Sequence, residues 1–159
     1  MPAQLPASTE VLKYKCDAAL AIFRRKFLVS STDADELWQD TLLWLWLGKF
    51  HEIDKNPKKP DLLVIFPQIL SIDEMWHAFI LCTREYHDFC QRYFGGYIHH
   101  APNADPGHVL SSDHFRSNVD YVSNVLGKHI AMRWYLSLPI IFENAIEHPQ
   151  LTPAEHKSL

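Results

Sequence analysis

Three observations predict an all-α fold. Apolar residues recur at three- and four-residue steps along most of the chain. Several runs open on Ser, Thr or Asp followed by an acid. Prolines and glycines fall between the periodic runs rather than inside them. Together they predict one compact bundle of about five or six helices with one extended, Pro-rich connection.

The first periodic run places Leu12, Cys16, Ala19, Leu20, Phe23 and Phe27 on one face, with Ser8 or Thr9 as its cap and Glu10 in the first turn. "SSTDADEL" opens the second helix, with Thr32 as the expected N-cap. Its body from Leu37 to Leu47 is apolar nearly all round and includes Trp38, Trp44 and Trp46, which belongs at the centre of a domain; Gly48 sits near its end. In the next twenty residues Pro57, Pro60 and Pro67 forbid a long helix. "DLLVIF" has strand composition but no partner strand, so a buried extended connection is expected. Ser71 and Glu74 then form an S-x-x-E capping box, Thr83 starts another helix, and Gly95-Gly96 ends it. A loop punctuated by Pro102, Pro106 and Gly107 leads to a helix opened by Ser112 and Asp113 and closed by Gly127. "HIAMRWYLSL" is a last apolar helix, stopped before Pro139, and "IIFENAIEH" adds a turn or two. The domain is expected over 1–148, with a polar tail over 149–159.

The 159 residues are 47% apolar and 13% aromatic, which suits a globular domain with a real core. A formal net charge of −4 gives no support to nucleic-acid binding. The first ten residues have neither a basic nor an apolar leader region, and the longest apolar run contains Asp40, so neither secretion nor membrane insertion is expected. Three cysteines are too few and too odd for a disulfide scaffold, which fits a reducing, cytoplasmic setting.

The segment from Ser71 to His100 is dense in chemistry, with four histidines, two cysteines and seven aromatics. Asp73 and His77 lie four residues apart, so they share a helix face about 40° out of line. The carboxylate can then fix the tautomer of the imidazole and leave the other ring nitrogen to bind a metal or take a proton. Trp76 would shield that pair. Tyr86, Cys90 and Phe94 repeat at four-residue steps. His99 and His100 are neighbours in an extended stretch, so only one of them is expected to face inward. His77, Cys90 and one of His99 or His100 are the candidate metal ligands, for zinc or iron, with water or Asp73 as a fourth and with Asp73, Trp76 and Tyr86 orienting them. The spacing matches no recognised zinc or calcium pattern. The blander readings are a satisfied core histidine, a small buried cysteine and a surface His pair. Tyr97 and Arg133 are candidates for contacting a partner.

The residues "DEMWHAFILCTREYHDFC" and "FGGYIHHAP" resemble the glycine-rich domain-containing protein-like family, whose small bacterial members carry this helical region alone. Asp73, Trp76, His77, Tyr86, Cys90, Phe94, Gly95, His99, His100 and Pro102 match its pattern in order, while Phe79 stands where the second His of Trp-His-x-His would be. The resemblance covers about thirty residues and implies no particular activity. Two functions therefore stand side by side. One is a metal-dependent or acid–base site acting on a small substrate by hydrolysis or hydration. The other is a protein-interaction module, an adaptor or inhibitor, in which the cluster is structural.

Overall fold

The computed structural model describes residues 4–101, 111–143 and 145, and no strand forms among them. Seven helices do: α1 (Ser8–Val11), α2 (Asp17–Lys26), α3 (Ser31–Ile53), α4 (Leu70–Leu81), α5 (Thr83–Phe94), α6 (Ser112–Leu126) and α7, which runs on through Lys128–Met132, Arg133–Ser137 and Leu138–Phe142. The count exceeds the expected five or six because the first periodic run is broken in two. Tyr14 causes the break. Its carbonyl accepts from Trp38 Nε1 (3.0 Å), and the Leu12 carbonyl accepts from Gln39 Nε2 (3.1 Å). Side chains of α3 thus satisfy carbonyls that a continuous helix would have used. The Tyr14 ring is freed to pack against Phe79, Phe89 and Tyr93.

Helix α3 is the central element, with Leu37, Trp38, Leu42, Leu45 and Leu47 all buried. It starts one cap earlier than expected: Ser30 Oγ, not Thr32, accepts the Asp33 N–H at 3.0 Å. It also runs past Gly48 to Ile53. Helix α4 packs on α2 and α3, and its Phe79 meets the rings of Trp38, Tyr86 and Phe89 at 4.7–5.2 Å. The Ser71–Glu74 capping box does not form. A 3₁₀ turn over Pro67–Ile69 leads directly into α4 at Leu70, which leaves Ser71 inside the helix. Helix α5 starts at Thr83 and ends at Gly95, whose φ of 68° is the left-handed C-cap that favours glycine.

The Pro-rich connection is extended and lacks a partner strand because one side chain does a strand's work. Asn118 of α6 accepts the Val64 N–H through Oδ1 (3.0 Å) and donates through Nδ2 to the Leu62 carbonyl (3.1 Å). Tyr121 of α6 ties the other end by donating to Asp54 Oδ2 at 2.8 Å.

Helix α7 does not stop before Pro139. It absorbs the proline by widening to a π turn over Arg133–Ser137, which shifts the carbonyl register just ahead of the residue that lacks an N–H. No helix among the described residues is long and apolar enough to cross a membrane. The expected boundary at 148/149 lies outside the described residues, as do Pro102, Pro106 and Gly107.

Candidate functional site

The site is built by one helix and one short extended segment. Helix α4 carries Asp73, Trp76 and His77. The left-handed turn at Gly95 sends the chain back across the α4–α5 hairpin, so that residues 97–100 run beside α4. A two-step bridge pins the returning segment. Trp76 Nε1 donates to the Tyr86 hydroxyl at 3.0 Å, and that hydroxyl donates to the Ile98 carbonyl at 2.6 Å. Burial pushes the Tyr86 phenol well above its ordinary value, so the proton needed for the second bond stays in place at neutral pH.

With Ile98 fixed, His100 lands on α4. Its Nε2 lies 2.6 Å from Asp73 Oδ1, and its ring sits 4.3 Å from the Trp76 ring and 4.5 Å from the His77 ring, centre to centre. His77 Nδ1 lies 3.6 Å from Asp73 Oδ2. Asp73 and His100 are each 20% exposed and His77 is 47% exposed, so the cluster sits at the surface with Trp76 as its floor. Among the described residues, Asp73, His77 and His100 form the group whose nitrogen and carboxylate atoms all lie within 4.8 Å of one another.

Two imidazoles and one carboxylate are a donor set for zinc or iron(II). Ligands of one such ion, at about 2.1 Å from it, lie roughly 3.0–3.4 Å apart. The Asp73–His100 pair, at 2.6 Å, is a hydrogen bond instead. An ion would take the place of the shared proton and part the two atoms slightly, while His77 would close in by a side-chain rotation.

The other sequence candidates are placed elsewhere. Cys90 is fully buried and is not in the cluster. Burial pushes its thiol up, against the lowering effect of the Ile98 N–H and the Tyr86 hydroxyl, and a protonated thiol is a poor ligand. His99 is exposed and meets the Tyr97 ring edge-on at 4.8 Å. Asp73, expected to orient the histidines or to serve as a fourth ligand, contributes a carboxylate to the cluster. Tyr97 is 41% exposed and leans on Tyr86.

Arg133, a candidate for contacting a partner, turns its guanidinium to a carboxylate of its own chain. Its Nε and Nη2 grip the Asp40 carboxylate at 2.7–3.1 Å, its Nη1 lies 3.4 Å from Glu36, and Trp134 Nε1 donates to Asp40 Oδ1 at 2.9 Å. Asp40 is 3% exposed, so its charge is answered almost wholly from α7. Sequence reasoning missed this pair. Its only signal was an acid inside the apolar run of α3 and an Arg-Trp step ninety-odd residues later.

A family model described as UCP032817-like matches residues 64–119. That stretch holds the end of the extended connection, α4, α5, the returning segment and the start of α6. The match corrects the expected resemblance: the family matched over these residues is UCP032817-like, an uncharacterised family, and not a glycine-rich domain family. Phe79 fits the correction, since the position that would carry the second histidine is a fully buried core aromatic. No curated protein and no solved structure matches the chain.

Proposed function

We propose that the protein binds one divalent metal ion, zinc or iron(II), through Asp73, His77 and His100, and uses it on a small substrate. The observation that carries this reading is the mutual approach, within 4.8 Å, of three ligand atoms of the right types from two separate parts of the chain. Three protein ligands leave coordination positions for water and substrate. Held by these three side chains, the ion would supply Lewis-acid chemistry of the kind that supports hydrolysis or hydration of a small substrate. The side chains' own parts are distinct. Asp73 holds the imidazole rings in register, Trp76 keeps water off one face of His100, and the Tyr86 bridge keeps the returning segment docked.

A second reading has one observation in its favour. The 2.6 Å Asp73–His100 bond joins α4 to the returning segment, as a structural clasp would in a protein-interaction module.

Metal analysis of protein purified without an affinity tag separates the two. The metal reading expects stoichiometric zinc or iron, lost in His77→Ala with the helical circular dichroism intact. His77 is half exposed, so its removal spares the core. A metal-free protein in which His100→Ala alone lowers stability would support the clasp.

A further inference from the structure

A cavity of about 580 Å³ opens between α2, the start of α4 and the end of α7. That is the size of a small-molecule site. It is independent of the Asp73 cluster, none of whose residues line it. Its walls are apolar: Phe23 and Phe27 from α2, Leu70 from α4, and Leu138 and Phe142 from α7.

One wall differs. Gln68, Ser71 and Glu74 line the cavity at three-residue spacing, which puts them in a row along the turn into α4. Gln68 Oε1 and Ser71 Oγ are buried with no hydrogen-bond partner. A native fold rarely leaves such atoms unanswered, and a donor from a ligand is one way to answer them. Glu74 ends the row. Its carboxylate meets Lys26 at 3.1 Å and is about one-third exposed, so it has acceptor capacity left. Glu143 lines the cavity from the α7 side, and the charged residues among the described lining are both acidic.

We propose that this cavity binds a small apolar molecule ending in a protonated amine. An ammonium group has three donors and no acceptor, which complements the Glu74 carboxylate and, once the Gln68 and Ser71 side chains turn toward the cavity, their two unpartnered oxygens. Its positive charge suits Glu74 and Glu143. Its hydrocarbon body covers the phenylalanine and leucine walls, where burial drives association. A carboxylate headgroup of the same length would meet two acids, Glu74 and Glu143, and among the lining only neutral donors, the Ser71 hydroxyl and the Gln68 amide.

The test uses the full chain and three eight-carbon probes that differ only in headgroup: octylammonium, octanol and octanoate. Ligand-observed NMR gives their affinities. Octylammonium is expected to bind roughly tenfold or more tighter than octanoate, the effect of one charge-assisted contact. Glu74→Gln is expected to erase most of that preference and leave octanol unchanged. Ile140→Trp, at a lining position that is 71% exposed, should fill the cavity without disturbing the core and abolish binding of all three. Equal affinity for octylammonium and octanoate would overturn the proposal. So would failure of octylammonium to bind the folded chain, or binding that Ile140→Trp leaves untouched.

Discussion

Replacing Arg133 with methionine tests the buried ion pair that joins α3 to α7. Methionine keeps most of the apolar stem and deletes the guanidinium. Three N–H···O contacts to Asp40, at 2.7–3.1 Å, disappear together, and the more distant approach to Glu36 goes with them. Asp40 stays 3% exposed in the protein interior, with the Trp134 N–H as its remaining donor. Removing one partner of a buried pair costs about 3–5 kcal/mol, because the surviving charge is left uncompensated. The surviving Trp134 bond and the 24% exposure of the arginine side chain place this case at the lower end, about 3 kcal/mol. For a chain of this size that is a Tm lowered by about 6–12 °C. Urea unfolding followed by tryptophan fluorescence measures it. The double variant Asp40→Asn with Arg133→Met leaves no lone charge and keeps an acceptor for Trp134, so it should recover most of the loss. A fall of under about 1 kcal/mol in the single variant would show the pair behaving as a solvated surface bridge, and the reasoning would fail.

Tyr86→Phe removes one hydroxyl and with it both bonds of the Trp76–Tyr86–Ile98 bridge. Losing such an outer support weakens metal affinity by about 10- to 100-fold, measured by zinc titration, and unchanged affinity would show that the bridge does not position His100. Gly95→Ala should cost roughly 1–2 kcal/mol in urea unfolding. Nothing lies within 4 Å of the added Cβ, so the cost comes from the φ of 68° alone. Stability should also fall in alkali. Burial pushes the Cys82 thiol up to about 11 from 9.0 and raises Tyr14, Tyr86, Tyr121 and Tyr135, so the folded chain keeps protons that the unfolded chain gives up. This contribution is whole below about pH 9, drains through about 9–11 for Cys82, and goes on falling above about pH 10 as the tyrosines join. Urea midpoints that stay flat across that window would contradict it.

Much of the fold was legible because it is written in local signals. The periodicity of α3, the Thr83 start and the glycine at the end of α5 each need only a few neighbouring residues. Two of the misreadings come from competition by distant groups and one from a local change of helix type. Trp38 and Gln39 take the carbonyls that would have carried the first helix across residues 12–16. Pro139 reads locally as a stop, yet the π turn before it lets the helix continue. Asn118 satisfies the extended connection from more than fifty residues away. At the site, the Asp73–His77 spacing was visible because a helix fixes it. The choice of His100 over His99 depends on how the Tyr86 bridge sets the returning segment. Cys90 repeated in step with the aromatics because it belongs to the core, and spacing alone cannot tell a buried thiol from a ligand.

Calorimetric titration of chelator-treated, tag-free protein with zinc decides whether Asp73, His77 and His100 hold one ion. One ion should bind per chain, its affinity should collapse in Asp73→Asn and in His100→Ala, and Cys90→Ala should leave it unchanged. Absence of a saturable site, or a site that survives both substitutions, would show that these three side chains hold no ion.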